Sequence, residues 1–139
     1  MRRLLLLLFL LFAVAAILAA CSPGEPQIVV ETLQLDLGDV PNGEITTRDV
    51  AVRNTGDAVL LVESLSTSCG CTTASLEPMQ IAPGASGTLH IEFDAGAHGP
   101  ELTGPLQRQV FINSNDPAQA EVTVEVAVNV TPRPQVGSN

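Results

Sequence analysis

Two cysteines separated by one glycine, Cys69-Gly70-Cys71, form the one motif of this chain whose residue types could do chemistry. Outside the cytoplasm such thiols tend to oxidise, and a turn at Gly70 could bring their Cα atoms into the roughly 4.4–6.8 Å range of a disulfide. The closed loop would be tiny, so it would add little stability through loop-closure entropy. The motif therefore predicts a local disulfide, or two small buried hydrophobic side chains that shape a loop.

Two alternatives remain open for the same pair. Two thiolates two residues apart can both face one soft ion such as Cu(I), with Met79 and His90 as weaker candidates for further ligands. Zinc is disfavoured, because two cysteines leave its usual four positions half filled. Thiol–disulfide exchange is the other alternative, although the familiar redox motif has two residues between its cysteines and stands at the start of a helix.

No other motif in the sequence predicts catalysis. The chain contains no Gly-x-Ser-x-Gly sequence, no phosphate-binding loop and no metal-binding helix motif. His90 falls on the polar phase of a predicted strand. His98 lies in a flexible glycine-containing loop, where a lone histidine without a partner is a poor catalytic candidate. We therefore predict no enzymatic activity, no resident cofactor and no small-molecule substrate.

The first 21 residues indicate where the protein works. Arg2 and Arg3 precede an unbroken apolar run over residues 4–20, which is followed by Cys21. This is the plan of an export signal, and a cysteine after Leu-Ala-Ala resembles the bacterial lipoprotein box. We expect a helical lipoprotein signal peptide over 1–20 and lipidation of Cys21. The alternative is an uncleaved transmembrane anchor, for which 17 apolar residues are at the short edge of the roughly 17–25 required.

The charge of the remaining chain excludes some partners. From Cys21 onward there are four arginines, no lysine and fifteen acidic residues, a formal charge of −11. Such a surface repels phosphate backbones, so nucleic-acid binding is not expected. It also repels anionic lipid headgroups, so the predicted attachment to the membrane must come from the lipid.

Period-two alternation of apolar and polar residues predicts β-strands along the whole mature chain. In contrast, residues 58–64 begin with five consecutive apolar residues, which predicts a strand buried on both faces. Turns rich in Gly, Pro, Asn and Asp separate these segments and predict an all-β sandwich of six or seven strands. We assign 21–27 to the lipidated cysteine and a polar tether, 28–131 to one domain and 132–139 to a disordered tail. The alternating segments lie at 33–37, 50–52, 89–93, 110–112 and 122–130.

Seven short blocks follow one another along the chain: Leu-Gly-Asp-Val (37–40), Val-Arg-Asn-Thr-Gly-Asp (52–57), Leu-Leu-Val (60–62), Cys-Gly-Cys-Thr (69–72), Ile-Ala-Pro-Gly (81–84), Ile-Glu-Phe-Asp (91–94) and Asn-Ser-Asn-Asp-Pro (113–117). Their order and spacing resemble the bacterial domain of unknown function 1573. That family is akin to the immunoglobulin-like domains of abnormal-spindle, hydin and major-sperm-protein-type proteins. The resemblance covers residues 30 to 130 and implies an immunoglobulin-like antiparallel β-sandwich of about seven strands on an exported protein. It implies no established catalytic activity.

Together these observations predict an extracytoplasmic lipoprotein, held on a bacterial membrane by its lipid. We expect a non-catalytic binding or scaffold module of the cell envelope, whose partner is another envelope protein. The alternative is a copper(I)-binding or thiol-redox accessory protein that works through Cys69 and Cys71.

Overall fold

Nine β-strands make up the protein in a computed structural model that describes residues 24–134. The predicted signal peptide and Cys21 lie outside the described residues. Within the described part, no helix is long and apolar enough to cross a membrane. The strands are β1 (Ile28–Val30), β2 (Gln34–Pro41), β3 (Ile45–Asn54), β4 (Leu60–Thr67), β5 (Thr72–Glu77), β6 (Gln80–Ile81), β7 (Ser86–Asp94), β8 (Gly104–Ser114) and β9 (Glu121–Thr131).

The strands form two facing sheets, ordered β1-β3-β7-β5 and β2-β9-β8-β4-β6. This arrangement confirms the predicted all-β, immunoglobulin-like sandwich. It differs from the expectation in two respects. There are nine strands and not about seven, and β2 pairs with β9 in parallel although every other pair is antiparallel. The parallel pair arises because the chain crosses from one sheet to the other between β1 and β2.

The core lies between the sheets and is aliphatic, as the alternation predicts. Valine, leucine and isoleucine from the inward phase of β3, β7, β8 and β9 are buried there, together with Phe93. The prediction that residues 58–64 are buried on both faces is wrong. Leu60 and Val62 point into the core, but Val59 and Leu61 are exposed, because β4 covers the core with only one face.

The sandwich has two chemically different ends. At one, here called the tether end, the chain enters through residues 24–27 beside the turns 55–59, 82–85 and 115–120. At the other, here called the loop end, lie the turns 42–44, 68–71 and 95–103. β4 runs from the tether end to the loop end, and β5 runs back in the facing sheet. The residues that join them, 68–71, contain both cysteines and are called the cysteine loop below.

The described residues of the predicted tether and of the predicted C-terminal tail contact the domain. Residues 132–134 are exposed and have no regular structure, but Arg133 Nε donates a hydrogen bond to the carbonyl of Asn42 over 3.2 Å. In the predicted polar tether, Glu25 and Gln27 are hydrogen-bonded to the domain, as described below. The remaining residues of both predicted segments lie outside the described residues.

Candidate functional site

The cysteine loop holds its two sulfur atoms at the loop end of the sandwich. Cys69 and Cys71 are joined by a disulfide, with their Cα atoms 5.4 Å apart. Cys71 is buried, whereas Cys69 is half-buried. Gly70 is exposed, and a Cβ added to it would meet no atom within 4 Å. The tip of the loop is therefore open to solvent and tolerates a side chain, although sequence reasoning placed the critical turn there.

Hydrogen bonds from both sheets hold the cysteine loop in place. Thr67 Oγ1 donates to the carbonyls of Cys69 and Thr72, over 3.0 and 2.9 Å. The backbone N–H of Asp94, at the end of β7, donates to the carbonyl of Cys71 over 2.9 Å. The Oγ of Ser68 accepts from an N–H of β8 over 2.9 Å. The loop is thus fixed to strands of both sheets, which makes it a rigid platform for its sulfur atoms.

Two further side chains approach the sulfur atoms. The Nε of Arg108, on β8, donates to the Sγ of Cys71 over 3.1 Å. His98, in the loop between β7 and β8, brings a ring nitrogen within 4.8 Å of the sulfurs of Cys69 and Cys71. Local sequence patterns gave no signal for either contact, because His98 approaches through the loop after β7 and Arg108 through the pairing of β8 with β4.

The weaker ligand candidates from the sequence, Met79 and His90, lie elsewhere. His90 is on the outer face of β7, where its Nδ1 lies 2.6 Å from Oδ1 of Asp49 on the neighbouring strand. Met79 follows β5 at the tether end, where its carbonyl accepts from the N–H of Val62. Val62 is five residues before Thr67 along β4, a distance of roughly 17 Å. Neither of these two candidates therefore lies beside the cysteines, whereas His98 does.

The tether end carries a second arrangement that sequence reasoning treated as turns alone. Asn54 is buried, and its Oδ1 accepts the N–H of Gln27 over 3.2 Å. Asp116 is buried too, and its Oδ2 accepts the next N–H, that of Ile28, over 2.8 Å. Two buried polar side chains thus bind consecutive backbone amides where the chain enters the domain.

Backbone contacts fasten the preceding residues in the same place. The carbonyl of Glu25 accepts the N–H of Asp57 over 2.9 Å, and that of Gln27 accepts the N–H of Thr55 over 2.9 Å. Gly56 is required for this packing, because a Cβ there would collide with the carbonyl oxygen of Glu25. Residues 24–27 are therefore docked on the domain and not a free spacer.

The charge state of Asp116 is set by the same contacts. Burial desolvates its carboxylate and by itself raises its pKa, but three backbone N–H donors, from Ile28, Ala118 and Gln119, outweigh burial and lower the pKa below its ordinary value of 3.8. Because the folded carboxyl has a lower pKa than the unfolded one, it stabilises the fold above the ordinary pKa. This contribution is lost as the pH falls through the folded-state pKa.

We therefore expect the Asp116→Asn variant to be less stable than the wild type at pH 7 and the gap to narrow at about pH 3. Urea unfolding at both pH values, followed by circular dichroism, measures it. Asp57→Asn, which changes an exposed carboxylate at the same end, serves as the matched control and should shift little. A gap for Asp116→Asn that is equally wide at both pH values would contradict the assignment of the carboxylate as the stabilising form.

Two facing β-sheets around an aliphatic core place this domain among the immunoglobulin-like β-sandwiches. The sequence profile of the family described as protein of unknown function (DUF1573) matches residues 28–130. The chain belongs to this family, which confirms the resemblance found in the sequence. No curated protein has a significant match to the chain.

Solved structures resemble the fold at low sequence identity. A protein of unknown function from Porphyromonas gingivalis W83 is 24% identical with a TM-score of 0.66, the match covering 76% of this chain and 47% of that one. The VesB protease of Vibrio cholerae is 14% identical with a TM-score of 0.60, over 75% of this chain and 32% of the protease. This chain therefore spans about half of the first protein and a third of the second.

A third similar structure is a domain of nearly the same size. The ASH / PapD-like domain 7 of human CEP192 is 8% identical with a TM-score of 0.60, over 79% of this chain and 89% of that domain. At these identities the likeness concerns the fold alone.

Proposed function

We propose that this protein is a lipid-anchored, extracytoplasmic module of the bacterial cell envelope that binds a partner protein with the loop end of its sandwich. The observation that carries the proposal is the docking of residues 24–27 on the tether end. If Cys21 bears the lipid, this docking determines which end of the sandwich faces the membrane.

The length of the chain between lipid and domain supports this orientation. Cys21 is three residues before Gly24, and three residues span at most about 10 Å. A lipid on Cys21 would therefore hold the tether end against the membrane. β8 spans eleven residues between the two ends, roughly 35 Å. The cysteine loop and the loops 42–44 and 95–103 would then face away from the membrane, where a partner can reach them.

The proposal assigns binding and not catalysis to the domain. His90 and Asp49 form a histidine–carboxylate pair, but both are exposed on an open sheet face, with side chains 48% and 63% accessible. Acid–base catalysis depends on a positioned group within reach of a bound substrate, and such sites are concave. A flat, wet sheet face does not supply this.

Photo-crosslinking in intact cells tests the orientation. A photoreactive amino acid at Gly70, on the open tip of the cysteine loop, is expected to give a discrete adduct with another protein. The matched position is Gln119, which is exposed at the tether end and should not give that adduct. An adduct obtained from Gln119 alone, or from neither position, would overturn the proposal.

The anchor is tested in the same cells with Cys21→Ala. The wild type is expected in the membrane fraction with an intact mass that includes lipid, and the variant is expected to lose that mass. Wild-type protein that sediments with membranes without lipid would replace the lipid anchor by an uncleaved transmembrane segment.

A further inference from the structure

Three soft or borderline donor atoms converge at the loop end. The sulfurs of Cys69 and Cys71 and a ring nitrogen of His98 all lie within 4.8 Å of one another. We propose that, when the disulfide is reduced, these three residues form a binding site for one Cu(I) ion. This inference goes beyond the proposed partner binding and does not depend on the membrane anchor.

The donor set favours Cu(I) among the common metal ions. Thiolates select soft ions, and imidazole is also a good ligand for copper. Zinc also accepts two cysteines and one histidine when its fourth position is open, so the charge around the site decides between zinc and Cu(I). No carboxylate belongs to the cluster among residues 24–134. Calcium and magnesium, which require oxygen ligands, are therefore excluded.

The charge around the site favours Cu(I) over a divalent ion. Two thiolates and a neutral imidazole around Cu(I) carry one negative charge, and the guanidinium of Arg108, 3.1 Å from the Cys71 sulfur, offsets it. The same ligands around a divalent ion are neutral, so the arginine would leave an uncompensated positive charge.

The exposure of the three residues gives the ion a route to the site. Cys71 is buried behind the loop, Cys69 is half-buried and His98 is exposed. The ion would therefore enter from the histidine side, with the buried thiolate innermost. The platform that holds the loop, from Thr67 and Asp94, uses backbone carbonyls and does not depend on the sulfur atoms.

Metal binding at this site requires reduction first. A dithiol reductant supplies two electrons and two protons, which breaks the S–S bond, gives two thiols and leaves the reductant as a disulfide. Cu(I) then displaces the two thiol protons into solvent, forms two Cu–S bonds and accepts the lone pair of the His98 nitrogen. The disulfide and the metal exclude each other, so the oxidised protein holds no copper here.

The test uses the full chain in detergent, reduced and kept without oxygen, and titrates it with Cu(I) against a coloured Cu(I) chelator. The expected result is one copper per chain, two sulfur ligands and one nitrogen ligand by X-ray absorption, and none retained after oxidation. Cys69→Ser combined with Cys71→Ser should retain none. Copper that is absent from the reduced wild type, or equally retained by the double variant, would overturn the proposal.

The two histidines of the chain offer a matched pair of variants. His98→Ala is expected to weaken Cu(I) binding by at least about tenfold, since even residues that only orient metal ligands change affinity by about 10–100-fold. His90→Ala removes the histidine on the outer face of β7 and should leave the affinity unchanged. Equal affinities for the two variants, or a site with sulfur ligands alone in the wild type, would refute the three-ligand site.

Discussion

Replacing Asn54 by alanine is expected to lower the free energy of unfolding by about 3–4 kcal/mol, because it leaves four buried or part-buried backbone groups without this partner. Its Oδ1 accepts the N–H groups of Gln27 and Gly56, over 3.2 and 3.0 Å. Its Nδ2 donates to the carbonyls of Ala58 and Ile81, over 2.7 and 2.9 Å. Urea unfolding measured by circular dichroism gives the change. The method suits a chain without Trp or Tyr.

Asn129→Ala is the control for the Asn54 variant. Asn129 is exposed and makes one side-chain hydrogen bond, from Nδ2 to Oδ1 of Asp39 over 2.7 Å. Its loss should cost less than about 1 kcal/mol, since water replaces the partner. Similar losses for the two variants would mean that the buried hydrogen bonds of Asn54 do not hold the entering chain to the domain.

Phe93→Ala is expected to cost about 3–5 kcal/mol, the usual range for removing a buried aromatic ring. The ring is fully buried, and Phe93 pairs with Thr46 and Thr72 on the two neighbouring strands. Its chain neighbour Asp94 donates to the carbonyl of Cys71, so a cavity here lies directly behind the cysteine loop. Thermal and urea unfolding measure the loss.

Phe111→Ala is the matched variant, because Phe93 and Phe111 are the two aromatic residues after Cys21. Phe111 is half-buried on the outer face of β8, between Thr123 and Ser66 on the adjacent strands. Truncation there should cost about 1–2 kcal/mol, less than at Phe93, because the ring keeps part of its area in water and its loss leaves no enclosed cavity. If both variants lost the same free energy of unfolding, the assignment of Phe93 to the inner face of β7 or of Phe111 to the outer face of β8 would be incorrect.

The sequence predicts which of these two phenylalanines faces the core. Phe93 shares the parity of Leu89 and Ile91, whereas Phe111 lies between Val110 and Ile112. A strand presents alternate residues to opposite faces, so the first ring must be inside and the second outside. The fold class and the core residues are predictable because both depend on the two-residue alternation of strands, which can be recognised locally in the sequence.

The strands that the alternation missed are short or polar. β1 has three residues and β6 has two, which is too few to show a period. β5, with the sequence Thr-Thr-Ala-Ser-Leu-Glu, is an edge strand with one fully buried large side chain, Leu76. The parallel pairing of β2 with β9 joins the N-terminal and C-terminal parts of the domain sequence. Local propensity carries no information about a partner so distant in the chain.

The candidate site was only half predictable for the same physical reason. The spacing of Cys69 and Cys71 is local and suggests a shared disulfide or a shared ion. His98 and Arg108 are 27 and 37 residues from Cys71 in the chain, and they reach it through the loop after β7 and through the pairing of β8 with β4. The turn residue Asn54 was recognised, but its bond to the carbonyl of Ile81 depends on how β6 returns to β4.

The direction of β1 determines how the domain would respond to mechanical load. β1 runs from the tether end toward the loop end and pairs with β3 at three positions, Ile28 with Asn54, Val29 with Arg53 and Val30 with Val52. A pull between a membrane and a protein held at the cysteine loop would act parallel to these strands. The hydrogen bonds of β1, with those that Asn54 and Asp116 add, would then be sheared together and not unzipped one by one, which is the stronger arrangement under tension.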